Sequence, residues 1–146
     1  MSEERNRWID AIVKMIELTQ KGDMKWEARD STHVREKDDD SVEAVFYTKY
    51  EGKSLRLYKL VYTAYKAVSP TTLYDVVIGA AQKKEAYRTS KIILDFVSEE
   101  GFKLWTYPEV NALPDLLSAV QYQTAGINDF IDALLSDDKE LSKDNN

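Results

Sequence analysis

The feature that most constrains the fold is a pair of strand-like runs in residues 42–67. The runs VEAVFYTKY and SLRLYKLVYTAYKA are rich in β-branched and aromatic residues, and only the segment EGK separates them. Gly52 lies in that segment and can adopt the positive φ that a tight hairpin turn requires. The sequence therefore predicts two neighbouring antiparallel strands, and hence an antiparallel sheet against which the other elements must pack.

The second run changes its alternation partway along. Its apolar residues occupy odd positions first and even positions later: Leu55 and Leu57, then Leu60, Tyr62 and Ala64. Successive side chains of a strand point to opposite faces, so an uninterrupted strand would divide these residues between two faces. One extra residue would restore a single apolar face, and we therefore predict a β-bulge near Tyr58 and Lys59.

Helical periodicity lies on both sides of this hairpin. Residues 3–20 place their apolar side chains on one side at helical spacing, and Gly22 is typical of a helix end. Asn111 can cap a second helix, with Pro114 in the first turn, where a missing N–H costs little. A third helix is predicted after Gly126, because its apolar residues are three or four apart: Ile127, Phe130, Ile131, Leu134 and Leu135.

Four further segments complete the predicted sheet and its connections. Residues 24–28 alternate apolar and charged residues, and TTLYDVVIGAAQ, residues 71–82, is rich in β-branched residues. KKEAYRTS, residues 83–90, is predicted as a polar connection to the strand KIILDFVS, and FKLWTY forms a last strand before Pro108. The pattern predicts an α+β fold: an N-terminal helix, an antiparallel sheet of about five or six strands built from hairpins, and two C-terminal helices packed on one face.

Length and composition predict one cytoplasmic domain. The chain has 146 residues, enough for a core without staples, and we place the domain at residues 1–135, followed by a polar, frayed tail at 136–146. There are no cysteines, which excludes disulfides, thiol nucleophiles and zinc sites with thiolate ligands. The acidic N-terminal residues are unlike a signal peptide, and no apolar run has the length of a membrane span.

Charge is distributed unevenly along the chain. The formal net charge is −6, which argues weakly against a general affinity for nucleic acid. Residues 49–91 nevertheless contain nine Lys or Arg against three Asp or Glu, a balance of +6, so the rest of the chain carries −12. A basic middle therefore lies between acidic ends.

No catalytic, metal-binding or phosphate-binding pattern stands out. His33 is the only histidine and lies in a hydrophilic segment without companion ligands. The acidic run 38–40 lacks the spacing and the glycine of a calcium loop, and the five glycines are isolated from one another. We interpret Gly79 as the site of a bulge or of a close packing contact. We therefore expect no cofactor, no metal and no enzymatic activity.

Two aspartates leave one enzymatic alternative open. Asp75 and Asp95 are the acids embedded in otherwise apolar strand-like runs, LYDVV and ILDFV. If their strands paired with both side chains on one face, they would share a pocket for a small ligand or for acid–base chemistry. Strand alternation favours the simpler interpretation, in which both lie on a solvent-facing side.

The hairpin of residues 47–66 is the most suggestive functional feature, because tyrosines and cations are interspersed along it. Tyr and Arg are enriched in protein interfaces, and a sheet face left open by the helices would display them. We therefore predict a protein-interaction module that self-associates or binds an acidic protein partner. The predicted binding residues are Tyr47, Lys49, Arg56, Tyr58, Lys59 and Tyr62.

The same hairpin supports an alternative from another class. Aromatic rings stack on bases and cations neutralise phosphates, so the hairpin is also compatible with binding of single-stranded nucleic acid. Its spacing does not match a recognised RNA-binding motif. A membrane partner is not expected, because the chain lacks an apolar segment of sufficient length.

Several stretches together carry a resemblance over nearly the whole chain. They are KWE after the first helix, the hairpin KYEGKSLRLYK, LWTYPEV and YQTAGINDFIDALL. With these stretches the chain resembles small stand-alone α+β proteins of prokaryotes and phages whose function is unassigned. The resemblance implies a short self-contained domain in such a setting, and it implies no activity, cofactor or residue role.

Overall fold

The computed structural model describes residues 2–31, 34, 37–67, 73–77 and 84–144. Within these ranges four helices and five strands form an α+β fold, and the strands make one antiparallel sheet in the order β1-β2-β3-β4-β5. The predicted fold class is confirmed. The elements are α1 (Ser2–Lys21), β1 (Glu27–Arg29), β2 (Val45–Tyr50), β3 (Lys53–Ala67), α2 (Leu73–Val77), β4 (Lys84–Val97), β5 (Lys103–Thr106), α3 (Leu113–Thr124) and α4 (Ile127–Asp144).

The hairpin of β2 and β3 is formed as predicted. Tyr50 pairs with Lys53, and the two residues between them, Glu51 and Gly52, both have positive φ, at 50° and 76°. Two positive φ values in a two-residue loop give a turn whose twist matches that of the flanking strands. The glycine therefore has the conformational role that the sequence assigned to it.

The predicted bulge in β3 is wrong. Strand β3 pairs with β4 in one unbroken register from Ser54 to Ala67. The alternation changes because residues 55–58 of β3 are buried on both faces and the even-numbered residues Leu60, Tyr62 and Ala64 are half-buried, so apolar residues of either parity are stabilised there. The extra residue is on the opposite segment, since residues 42–44 lie between the pairs Val45↔Tyr58 and Ser41↔Val61, whereas β3 has only 59 and 60 there.

Two other predictions are corrected between β3 and β4. Residues 73–77, inside the predicted strand 71–82, form the short helix α2. Residues 84–90, predicted as a polar connection, are the first half of strand β4. Those residues pair with the exposed end of β3, where neither face is deeply buried, so no apolar alternation identifies the strand. The predictions for His33 and Gly79 lie outside the described residues.

The main core lies between one face of the sheet and the helices α1 and α3. The side chains buried most completely there come from α1, β3, β4 and α3: Ile12, Leu57, Leu94, Leu113, Leu116 and Val120. We call this side of the sheet the helix face. It holds the odd-numbered residues of β3 and their partners on β4, because cross-strand partners point to the same side.

Helix α4 departs from the expected packing. Four apolar side chains of its amphipathic stripe are exposed, so this helix does not close over the sheet as α1 and α3 do: Phe130, Ile131, Leu134 and Leu135. It also continues to Asp144, and the tail predicted from residue 136 onward therefore begins inside a helix.

Hydrogen bonds of the Gln123 side chain join α3 to the end of α1 and to the segment that follows α1. Its Nε2 donates to the backbone oxygens of Thr19, at 2.9 Å, and Met24, at 2.8 Å. Its Oε1 accepts a hydrogen bond from the backbone N–H of Trp26, at 2.8 Å. One side chain thus binds three backbone groups, one in the last turn of α1 and two in the segment that leads from α1 to β1.

Candidate functional site

The face of the sheet opposite the helices is not fully open. Val34, Val42, Val45 and Tyr58 form a second apolar cluster there, and the segment that precedes β2 supplies the first two. Tyr58 is only 6% exposed. The protein covers the middle of this face with its own chain, and Val34 and Val42 lie outside the described helices and strands.

Arg56 lies beside this cluster and is engaged internally. It is 6% exposed, and its Nη2 donates to Oδ2 of the fully buried Asp95 at 2.8 Å. The hydroxyl of Thr106 donates to the other carboxylate oxygen at 2.7 Å. Burial acts to lower the pKa of Arg56, but the hydrogen bond and the charge of Asp95 outweigh it and raise that pKa. The guanidinium stays charged and is directed into the protein.

Tyr47 and Lys49 lie on β2, toward the end of the sheet at the β2–β3 turn. Tyr47 is half-buried, with the Arg29 guanidinium 4.5 Å from the centre of its ring. Lys49 is exposed and lies 3.4 Å from the carboxylate of Glu99. The register places Lys59 on the helix face and the other five predicted residues on the opposite face. Because Arg56 and Tyr58 are buried there, the structure does not assemble the six predicted residues into one exposed surface.

Lys59 and Tyr62 belong to a part of the sheet with a distinct character. We call residues 59–67 of β3 and 84–92 of β4 the β3–β4 arm. Beyond the bridge of Ser41 to Val61, the arm strands pair only with each other in the described part of the chain. Tyr65 and Tyr87 are 65% and 47% exposed on the arm.

The β3–β4 arm is basic. It carries five cations against the single acid Glu85, a balance of +4: Lys59, Lys66, Lys84, Arg88 and Lys91. The Lys91 ammonium lies 5.0 Å from the centre of the Tyr62 ring, a cation–π arrangement. The basic middle of the sequence is thus concentrated, in three dimensions, on a two-stranded projection.

Residues 39–41, which precede β2, are anchored to this arm. Arg88 Nη1 donates to the backbone oxygen of Asp39 at 2.7 Å and to the hydroxyl of Thr63 at 2.9 Å. Ser41 and Val61 exchange two backbone hydrogen bonds. These contacts hold the segment that supplies Val42 to the second cluster.

Anchoring of this segment is expected to depend on pH. A hydrogen bond from Thr63 lowers the pKa of the exposed Asp39 carboxyl. Because the folded pKa is below the ordinary value, the stabilising contribution is complete above that value and is lost as pH falls through the folded pKa. Carboxyl-detected NMR titration should give a pKa for Asp39 below about 3.9, the ordinary value for Asp. Thr63→Val should raise it, and an unchanged pKa in that variant would contradict the assignment.

Asp75 and Asp95 do not form the predicted pair of strand acids. Asp75 lies in α2, so the premise that two paired strands carry both residues is wrong. Asp95 borders a cavity of about 330 Å³, but both of its carboxylate oxygens already accept hydrogen bonds from Arg56 and Thr106. The described residues contain no group of three or more His, Cys, Asp or Glu placed to hold a metal ion.

A larger cleft of about 1160 Å³ lies between the end of α1, α3 and the start of α4. Gln123 lines it, and the hydroxyl of Tyr122 donates to Oδ1 of Asn128 there at 2.6 Å. Gly126 has a φ of 68° and joins α3 to α4. The polar side chains named here hydrogen-bond to other groups of the protein. We therefore interpret the cleft as a gap where the three helices meet and not as a binding site.

Comparison with protein-family models, curated proteins and solved structures finds no match. The resemblance to small prokaryotic and phage proteins stays a prediction. Among the described residues, none of the helices combines the length and the apolar character that crossing a bilayer requires.

Proposed function

We propose that this protein is a small cytoplasmic protein-interaction module that binds an acidic protein partner through the β3–β4 arm. The observation that carries the proposal is the arm itself, which extends past the other described strands and exposes Tyr65 and Tyr87 among five cations. An isolated two-stranded ribbon is marginally stable in water, so covering it with a partner stabilises both surfaces.

The chemistry of the arm favours a protein partner with carboxylates. Tyrosine supplies a large contact area with little loss of conformational freedom, and the surrounding lysines attract negative charge at long range. Lys59 and Tyr62 of the predicted binding set lie on the arm. Arg56 and Tyr58 support the arm from inside the fold and are not part of the proposed contact surface, because they are buried.

A specific observation favours single-stranded nucleic acid as the second candidate. Tyr62 with Lys91 over its ring combines an aromatic platform with a cation, the pair of groups that binds a base and its phosphate. The acidic remainder of the chain acts against this candidate, since it repels a polyanion.

Fluorescence anisotropy separates the two candidates. The probes are a labelled amphipathic peptide of Glu and Leu and a labelled oligothymidine, each titrated at low and at high salt. The module should bind the peptide, and Lys59→Glu/Lys84→Glu should weaken that binding at least about tenfold, because like charges then face each other.

The matched control is Lys53→Glu/Lys103→Glu, which makes the same charge change at the other end of the sheet. It should bind the peptide as the unmodified protein does. Absence of peptide binding at low salt, or equal loss in both variants, would refute the proposed function. Binding of the oligothymidine alone would favour the nucleic-acid candidate.

A further inference from the structure

Helix α4 presents an apolar surface that nothing in the described structure covers. Phe130 is 61% exposed and Leu134 52%, and Ile131 and Leu135 lie beside them on the same side of the helix. Scattered exposed apolar residues are normal on a protein surface, but four that are contiguous on one helix indicate an interaction site. We call these four residues the α4 stripe.

The charges around the α4 stripe restrict what can cover it. Residues 127–137 contain three aspartates and no Lys or Arg. At about 3.6 residues per turn, Asp132 and Asp137 border the stripe on opposite sides, whereas Asp129 points away from it. The surface is therefore apolar in the centre and negative along both edges, and a complementary surface is apolar or aromatic with cations around it.

The chain itself carries such a surface on the β3–β4 arm. Strand alternation places Tyr65, Lys59 and, across the strand pair, Lys84 on the helix face of the arm. Tyr65 is 65% exposed, and both lysines are exposed. Aromatic area and positive charge thus occur together on the same side of the sheet that α1 and α3 cover farther along.

We infer that the partner of the β3–β4 arm is α4 of a second copy of this chain, with the α4 stripe seated on Tyr65 and the aspartates beside the lysines. The inference rests on the proposed function, because it uses the arm as the interaction surface. The bound α4 would extend the helix layer already formed by α1 and α3.

Dimensions and symmetry agree with this arrangement. Residues 127–137 of a helix span about 16 Å, and the nine arm residues of β3 span about 30 Å, so the arm is long enough to hold the stripe. In a two-fold dimer each α4 lies on the arm of the other copy, and the contact forms twice. Such a dimer covers the β3–β4 arm and the α4 stripe of both copies, and it pairs the basic middle of one chain with the acidic end of the other.

Exchange of charge between the two surfaces tests the inference. One variant, Lys59→Glu/Lys84→Glu, reverses the arm, and another, Asp132→Lys/Asp137→Lys, reverses the edges of the α4 stripe. The unmodified protein should sediment as a dimer, and each variant alone should be monomeric at the same concentration. An equimolar mixture of the two variants should form a heterodimer, because opposite charges then meet at both contacts.

Controls keep the test decisive. Far-ultraviolet circular dichroism reports whether each variant folds, and Lys53→Glu/Lys103→Glu should remain dimeric. Phe130→Ser/Leu134→Ser removes two apolar side chains of the α4 stripe without changing the charge, and this variant should be a monomer. Raising salt from about 0.1 M to about 1 M shortens the screening length from about 10 Å to about 3 Å and should weaken the dimer.

The outcomes distinguish this inference from the proposed function. A protein that stays monomeric at high concentration but binds the acidic peptide through its arm would overturn the inference and leave the proposed function intact. A dimer that survives reversal of the arm would overturn the inference, since its contact would lie elsewhere. Lack of a heterodimer in the mixture of folded variants would also overturn it.

Discussion

Asp95→Ala is expected to lower the free energy of unfolding by about 3–5 kcal/mol, because it breaks a buried charge pair. Asp95 is fully buried, and its removal leaves the Arg56 guanidinium without its 2.8 Å partner in a site that is also shielded from water. It leaves the hydroxyl of Thr106 without its acceptor as well. Urea denaturation followed by circular dichroism measures the change.

The matched double variant separates the lost charge pair from lost packing. Arg56→Met/Asp95→Leu replaces the pair by apolar side chains and should lie within about 1–2 kcal/mol of the unmodified protein, because no uncompensated charge remains. Glu99→Ala breaks the exposed pair with Lys49 and should cost at most about 1 kcal/mol. Equal destabilisation by Asp95→Ala and Glu99→Ala would show that the buried pair does not have the proposed role.

Gln123→Ala is expected to cost about 2–4 kcal/mol, because the oxygen of Met24 and the N–H of Trp26 lose their side-chain partner and the oxygen of Thr19 keeps only the N–H of Gly22. These groups lie at the end of α1 and in the segment between α1 and β1, so the variant should also expose Trp26, which is 7% exposed in the intact fold. A red shift of tryptophan emission together with a lower denaturation midpoint would report both effects.

Gln121→Ala is the matched control for this second prediction. The residue has the same side chain on the same helix but is exposed, so its replacement should change stability by less than about 0.5 kcal/mol. Gln123→Glu keeps an acceptor for the N–H of Trp26 and removes the two donors, and it should still destabilise the fold. A loss in Gln121→Ala as large as that in Gln123→Ala would show that the hydrogen bonds of Gln123 do not account for the effect.

Local chemistry was sufficient to predict the elements that have a buried face or a defined turn. The helix stripe of residues 3–20 and the Gly52 hairpin are both formed, because alternation and turn conformation act over a few residues and are visible in the sequence. The first half of β4 was missed because it is exposed on both sides, so its strand conformation comes from pairing with β3 and leaves no apolar alternation. Conversely, the helical periodicity of α4 predicts a buried apolar stripe, and the fold leaves that stripe exposed.

The sequence likewise predicts only part of the candidate site. The sequence alone showed that tyrosines and lysines are concentrated in residues 47–66, and Lys59 and Tyr62 do lie on the basic arm. The sequence did not distinguish Lys59 and Tyr62 from Arg56 and Tyr58, because all four belong to the same run of interspersed tyrosines and cations. A cation that pairs with an acid 39 positions away, as Arg56 does with Asp95, cannot be recognised from its neighbours in the chain.

The amino-acid sequence by itself determined the α+β class, the antiparallel hairpin and the division of charge, since these follow from periodicity, turn residues and composition. Tertiary structure alone decided which surfaces remain exposed. Val34 and Val42, which lie outside the described helices and strands, cover the middle of the sheet, whereas no described residue covers the β3–β4 arm or the α4 stripe. The physical reason is that burial depends on contacts between distant parts of the chain, whereas the patterns in a sequence record only the tendency of each element to bury a face.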